Sequence, residues 1–287
     1  MTDTTIRLEA FAKVNLLLRV LAREEDGYHT LETLFARISL ADEIVAERRE
    51  GRGVTLDVSG GDTGPPGENL ALRAAEAVLQ ATGQRFAVHL TLAKRIPVRA
   101  GLGGGSSDAA ATLDAVNRIA GNAVPRHELL QLAARLGSDV PFFLSGGPLA
   151  LAWGRGERLL RLPPLPAAAA LLLIPPIGVS TAEAYRWVDA VRQSAGRRGA
   201  VALDLPALAT WGDIARLAGN DFEATVFGKH PQIRAGFEAL AGSHPLLCRM
   251  SGSGSALCAV YRSARERDDA AAMLGTRFGR TIAVEVG

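Results

Sequence analysis

Polar and apolar residues alternate strictly near the start of the chain, where Ile6, Leu8 and Ala10 are separated by Arg7 and Glu9. A period of two is the mark of a half-buried strand. Val14 to Leu21 continues as an apolar run, and Asp26-Gly27 is a turn signal. Leu34 to Leu40 and Ile44 to Glu47 read as further strands broken at Ala41-Asp42, and Val54 to Val58 alternates again. Residues 60–67 are turn chemistry throughout. Helical spacing takes over beyond them. Asn69 is a candidate N-cap for a stripe of Leu70, Ala74, Ala77 and Val78 that stops at Gly83. Val88 to Leu92 alternates as a strand, Ser107 to Ile119 is helical, and Pro125 opens a helix that ends at Gly137. Leu149 to Trp153 is a further strand.

The proline cluster Leu162-Pro163-Pro164-Leu165-Pro166 changes the character of the chain and predicts a division into residues 1–162 and 163–287. Beyond it lie a buried strand (Ala168 to Ile174), helices (Thr181 to Val191, Trp211 to Leu217, Ile233 to Leu240), a strand (Leu257 to Tyr261), a helix (Ala264 to Leu274) and a last strand (Thr281 to Val286). Regular βαβ alternation is missing, which predicts an α+β architecture. The length of 287 residues agrees with two domains at roughly 150 residues each. A hydrophobic content of 48% against 22% charged residues excludes a disordered chain. The longest clean apolar run, Ala167 to Ile174, is too short to span a bilayer. The first residues show no basic stretch followed by an apolar one, so no signal peptide is expected and the cytoplasm is the expected compartment. Cys248 and Cys258 form no CxxC pair, which argues against zinc and a disulfide framework. A net charge of +2 argues against a dedicated nucleic-acid binder. The Arg197-Arg198 pair reads as solvated loop.

Five segments carry chemistry. The strongest comprises Pro97, Val98, Arg99, Ala100, Gly101, Leu102, Gly103, Gly104, Gly105, Ser106 and Ser107, with a strand leading in and a helix leading out. Glycines allow close backbone approach, and successive N–H groups at a helix N-terminus favour phosphate. No GK[ST] follows, so the loop is not a Walker A motif, and its glycine spacing fails the dinucleotide fingerprint. A Cβ at Gly104 is expected to meet a phosphate or force a disfavoured φ. The second segment is Ala12-Lys13-Val14-Asn15; a lysine on a strand is ordinarily a solvated edge residue. In Asp26-Gly27-Tyr28-His29 an aromatic and a histidine follow a turn, as a packed loop or as a ring-binding pair. In Gly137-Ser138-Asp139-Val140-Pro141-Phe142-Phe143 the carboxylate is either a helix cap or a poised base. A second small-residue loop, Met250 to Ser255, is either a tight hairpin or a place of close phosphate approach.

Together these segments resemble the GHMP kinases. The glycine loop is similar to the family's ATP-binding motif, Ala12 to Asn15 to its first motif and Met250 to Ser255 to its third. The Asp-Gly-Tyr-His and Asp-Val-Pro-Phe-Phe segments narrow the resemblance to members whose substrate carries a cytidine diphosphate moiety. The resemblance implies a two-domain fold with the active site in the cleft, and a kinase using ATP and Mg²⁺. It implies Asp139 as the base, Lys13 beside it, and Pro97 to Ser107 around the nucleotide. Tyr28 and Tyr185 would sandwich the cytosine, with His29 on its polar edge. Asn15 and Thr181 would contact the diphosphate or polyol portion, and Gly252, Ser253 and Gly254 would support the phosphates. Arg99 stands where a smaller residue is usual, and Arg19 and Ala22 also depart from the common pattern. Homoserine- or mevalonate-type kinases and a non-catalytic nucleotide- or RNA-binding protein are the alternatives.

Overall fold

The computed structural model of the protein describes residues 4–83, 86–192 and 203–287, and the Arg197-Arg198 pair lies outside them. The architecture is α+β, as the mixed pattern predicts. Two long strands, β1 (Thr5–Arg23) and β2 (His29–Arg49), pair antiparallel along their whole length. The alternation broken at Ala41-Asp42 is thus a single strand. The register slips between Phe11 and Lys13, whose partners are Ala41 and Arg37. The other edge of β2 is shared by three neighbours. Its C-terminal part pairs with β4 (Ala87–Ala93), which also carries the parallel β3 (Gly53–Ser59). Its N-terminal part pairs with β5 (Leu149–Gly154), followed by β6 (Arg158–Leu162). Between them Ile38 meets Val286 of β10 (Arg280–Val286), so the sheet continues into β7 (Ala168–Ile174), β9 (Leu257–Tyr261) and β8 (Leu247–Met250).

Burial follows the sequence periodicity. Ile44, Leu90 and Leu92 form a core with α1 (Leu70–Thr82), α2 (Gly104–Ile119) and α3 (Arg126–Leu136). Asn69 caps α1 by accepting from the Ala71 N–H. Leu171, Leu173 and Leu257 pack with α5 (Thr181–Arg192), α7 (Glu223–Lys229), α8 (Pro231–Ala241) and α9 (Ala264–Leu274). A third core joins Val14, Leu16 and Ile38 to Leu172, Val260 and Trp211 of α6 (Trp211–Leu217), so the two halves share apolar interior. The Val-Pro-Phe-Phe run is a short helix, α4 (Val140–Ser145). Helix α7 and strand β6 also have no counterpart in the periodicity reading. Cys248 and Cys258 are buried free thiols. Among the described residues no helix is long and apolar enough to cross a membrane.

One buried charge cluster ties three elements together beneath the glycine loop. Lys94 Nζ bonds to Asp42 of β2 and lies 2.7 Å from Asp108 Oδ2 in the first turns of α2. Asp42 also accepts from the backbone N–H groups of Arg95 and Ile96 (2.8 Å for Ile96), which sets the path of the chain into the loop. All three side chains are at most 4% exposed. Burial pushes the Asp108 carboxyl up from 3.8 to about 7, against the pull of Lys94. A raised carboxyl pKa means stability that is complete below the unfolded value and lost as pH rises through the folded one. The melting temperature should therefore fall between about pH 4 and 7, and Asp108→Asn should flatten that fall. Thermal melts across the pH series check this; equal slopes in both proteins would mean that Asp108 is ionised throughout.

Candidate active site

The glycine loop leaves β4, crosses to the Met250–Ser255 loop and enters α2. Two of its glycines are required by geometry. Gly101 has φ 78°, and a Cβ there would stand 2.2 Å from the Ser251 carbonyl oxygen. Gly103, the N-cap of α2, has φ 72° and supplies no side-chain cap, so the first N–H groups of α2 keep no capping side chain. They open on a groove of about 500 Å³ lined by Asn69, Lys94, Pro97 to Ser106, Asp108 and Thr181. Uncapped donors and the helix dipole favour negative charge here. Arg99 takes a left-handed backbone (φ 58°) and is exposed at its mouth. Two expectations need correction. A Cβ at Gly104 would point at Ile96 and Lys94 Nζ (3.2 Å), into the protein and not at a ligand. Ser107 is turned away: its hydroxyl donates to the Phe11 carbonyl at 2.6 Å and ties α2 to β1.

Lys13 is buried, not a solvated edge residue. The register slip brings its backbone N–H to the Leu102 carbonyl (3.0 Å), so β1 holds the glycine loop directly. Lys13 Nζ lies 2.6 Å from Asn15 Oδ1 and 3.4 Å from Asp139 Oδ2. The orientation of Asn15 follows from its neighbours. The Thr33 hydroxyl donates to the Leu17 carbonyl and therefore accepts from Asn15 Nδ2 (2.7 Å). Oδ1 then accepts from Lys13 and from the Gly252 N–H at 2.9 Å. Asn15, expected to touch substrate, lines the same cavity as Asp139, and its amide oxygen also positions Lys13 and Gly252. Asp139 precedes α4 but makes no side-chain cap, which removes the cap alternative, and its carboxylate is 31% exposed. Lys13, Asp139, Thr181, Tyr185, Gly252 and Ser253 line a cavity of about 160 Å³. Gly101, Gly103 and Thr181 belong to both this cavity and the groove. The Thr181 hydroxyl meets Ser253 Oγ at 2.9 Å, which joins α5 to the second loop. Gly254, in the same loop, has φ 95°, and a Cβ there would meet Met250 Sδ at 2.9 Å.

The aromatic residues are arranged differently from a simple sandwich. Tyr185 stacks on His29, ring centroids 4.7 Å apart, and meets Phe222 edge-on. Burial, then the Asp139 charge, pushes its phenol up to about 12. Tyr28 is 58% exposed on the rim. The Arg155 guanidinium lies 4.1 Å from its ring centroid and is held by Glu24 and Asp26. One face of Tyr185 is thus occupied by His29. His29 Nε2 is engaged by Asp189 Oδ1 at 2.7 Å.

Sequence reasoning passed over Lys94, Thr33, Asn220, Arg155 and Asp189. Asn220 Nδ2 donates to the Met250 and Gly252 carbonyls and shapes the second loop. Asp189 did carry a signal, since it stands four residues after Tyr185 on one helix face.

Comparison with known proteins places this geometry. The profile of the GHMP kinases N terminal domain matches residues 69–147, and that of the GHMP kinases C terminal domain matches residues 200–280. A protein of Solibacter usitatus named 4-diphosphocytidyl-2-C-methyl-D-erythritol kinase is 42% identical over 91% of this chain and 83% of its own length. A crystal structure of 4-(cytidine 5'-diphospho)-2C-methyl-D-erythritol kinase is 39% identical, with TM-score 0.82 over 98% of this chain and 99% of that one. A homoserine kinase from Cytophaga hutchinsonii shares the fold at 17% identity, with TM-score 0.70 over 100% of this chain and 96% of that one.

The two kinds of glycine in the loop should respond oppositely to alanine. At Gly103 a Cβ meets Phe143 Cζ at 2.8 Å and Lys13 Cγ at 3.1 Å on a left-handed backbone. Gly103→Ala should destabilise by about 1–3 kcal/mol. At Gly105 the nearest atom is Leu70 Cδ1 at 4.0 Å, on a helical backbone. Gly105→Ala should be neutral or stabilising by up to about 1 kcal/mol. Thermal melting of both variants checks the contrast.

Proposed function

Because the chain belongs to the GHMP kinases and, within them, to the 4-diphosphocytidyl-2-C-methyl-D-erythritol kinases, we propose that it transfers the γ-phosphoryl group of ATP to the 2-hydroxyl of 4-diphosphocytidyl-2-C-methyl-D-erythritol, a step toward isoprenoid precursors. The observation that carries this reading is the Lys13–Asp139 pair in a cavity that shares Gly101, Gly103 and Thr181 with the groove at the uncapped helix end. An alcohol in the cavity and a triphosphate in the groove would meet there.

Asp139 takes the proton from the hydroxyl as the new O–P bond forms and the β–γ bridging bond breaks, releasing ADP. Lys13, fixed by Asn15, offsets charge on the attacking oxygen and keeps the carboxylate aimed. The N–H groups at the start of α2 receive charge on the phosphoryl oxygens. Mg²⁺ is part of the reading. Among the described residues no three acidic, histidine or cysteine side chains group together, which fits an ion held mainly by the nucleotide's phosphates. Ser106 lines the groove and makes no hydrogen bond among the described residues, so its hydroxyl would add to that shell. The ion would neutralise phosphate charge.

Tyr28 supplies an exposed ring for the cytosine and His29 an edge. Thr181 and Ser253 stand where the diphosphate would cross between groove and cavity. The division at residues 162 and 163 goes with this reading: the first part carries the loop, Lys13 and Asp139, and the second carries Thr181, Tyr185 and the Gly252–Gly254 support. A cytoplasmic setting accords with two free thiols in the core.

Asp139→Asn should lower kcat by roughly 10²–10⁴-fold while nucleotide affinity stays close to that of the parent protein. Steady-state kinetics and equilibrium ATP titration measure the two quantities. A variant of near-normal kcat would deny Asp139 the role of base.

A further inference from the structure

The residues just ahead of α7 join β1 to the second small-residue loop. Asn220 is buried, and its neighbours fix the direction of its amide. Oδ1 accepts from the Phe222 N–H at 2.9 Å, so Nδ2 donates to the Met250 carbonyl at 2.7 Å and to the Gly252 carbonyl at 2.8 Å. On either side of it the chain is bonded to β1. The Leu18 N–H donates to the Gly219 carbonyl, the Asp221 N–H to the Leu18 carbonyl, and the Val20 N–H to Asp221 Oδ2 at 2.7 Å. Glu223 accepts from the Met250 N–H at 2.9 Å. The circuit closes at Gly252, whose N–H donates to Asn15 Oδ1, back on β1.

The second loop has little else to hold it. Between Met250 and Ala256 it reads Ser-Gly-Ser-Gly-Ser, which offers no apolar side chain to a core, and Gly252 stands on a left-handed backbone (φ 57°). Its place is therefore set by hydrogen bonds, and one amide, that of Asn220, supplies two of them. The position matters because Leu18, Phe222, Gly252 and Ser253 line the same cavity as Lys13 and Asp139. Asn220 itself lines neither this cavity nor the groove. We propose that Asn220 is a positioning residue for phosphoryl transfer: its two N–H groups pin the Met250 and Gly252 carbonyls, and so hold the Gly252 N–H on Asn15 and the loop at the cavity wall. Without those donors two carbonyls lose their partner, and the loop relaxes away from β1 to find another. A displacement of about 1 Å at a reacting centre can cost roughly 10²-fold in rate, even when its cause lies far from the chemistry. The inference rests on the proposed function, in which the cavity receives the alcohol.

The experiment compares the parent protein with Asn220→Asp, Asn220→Ala and Asn220→Ser. Asn220→Asp keeps the shape and the acceptor for the Phe222 N–H, but it can donate at most one hydrogen bond, and only when protonated. Asn220→Ala removes both donors without adding charge, and Asn220→Ser retains one hydroxyl donor. The quantities measured are kcat with the cytidine diphosphate substrate, the ATP dissociation constant by equilibrium titration, the melting temperature, and hydrogen exchange at the Gly252 amide by NMR on glycine-labelled protein. Asn220→Asp and Asn220→Ala should lower kcat by about 10–100-fold and speed exchange at Gly252 by about tenfold or more, with ATP dissociation within about threefold of the parent value. Asn220→Ser should lie between them and the parent. Thermal melting identifies a variant that fails to fold, and Asn220→Ser then decides. A folded Asn220→Asp or Asn220→Ala of parental kcat overturns the proposal. So does a loss of kcat with Gly252 exchange unchanged, and so does ATP affinity that falls in step with kcat, the mark of a merely structural residue. Failure of the underlying reading looks different: the parent itself would not phosphorylate the cytidine substrate, and this role would fall with it.

Discussion

The site depends on the direction in which one buried amide points. Asn15 Oδ1 accepts from the Lys13 ammonium and from the Gly252 N–H, which sit on opposite sides of the molecule's two halves. That direction is imposed from behind, because the Thr33 hydroxyl is already donating to the Leu17 carbonyl and can only accept from Asn15 Nδ2. If the amide were reversed, an NH₂ group would face an ammonium and a backbone N–H, leaving the Gly252 N–H unpaired and Lys13 with Asp139 alone. Such a loss costs about 1–3 kcal/mol for each unpaired group, so the chain Leu17–Thr33–Asn15 holds a single state. It fixes the lysine, the second loop and, through the Lys13 N–H bond to Leu102, the glycine loop as one rigid unit.

The glycine loop needs a second support because its own conformation is costly. It contains three left-handed residues, Arg99, Gly101 and Gly103, and it leaves the start of α2 without a side-chain cap. Those features suit a phosphate but contribute nothing to folding without one. The Asp42–Lys94–Asp108 cluster holds the loop from below, gripping the chain just before it and the helix just after it. Ser107 holds from the far side through Phe11. The strained segment is therefore over-determined by groups that never touch a ligand.

Most strands and helices were legible because their signal is local. Period two in β1, β3 and β4, and the capped stripe of α1, need only neighbouring residues to interpret. The errors fall where a polar residue is explained by distant partners. Asp42 looks like a strand break until Lys94, Arg95 and Ile96 are seen around it. Lys13 looks like an edge lysine until Asn15 and Asp139 are seen to enclose it. Ser107 belongs to the phosphate motif by spacing, yet the helical rotation of about 100° per residue turns it away from the side of Ser106 and onto the Phe11 carbonyl. Gly104 fails for the same reason, since its Cβ direction is set by the helix and not by the loop. The candidate base and lysine were legible from family resemblance; their engagement with Asn15 was not.

The two recesses have part of their wall in common, and that constrains the chemistry more than either recess alone. The groove at the helix end and the smaller cavity share Gly101, Gly103 and Thr181. A Cβ at either glycine would strike the surrounding protein: at Gly101 it overlaps the Ser251 carbonyl, and at Gly103 it overlaps Phe143. The glycines are thus needed twice over, once for backbone conformation and once for the close packing of the loop against Ser251 and Phe143. Thr181 reaches the shared wall from α5 and is tethered to Ser253, so that wall is made by both halves of the chain. Phosphoryl transfer asks little of the protein beyond placing donor and acceptor in line and meeting the charge that spreads over the phosphoryl oxygens. Uncapped N–H groups on one side of the shared wall, and on the other an ammonium locked by Asn15 beside a carboxylate 3.4 Å away, suit both demands.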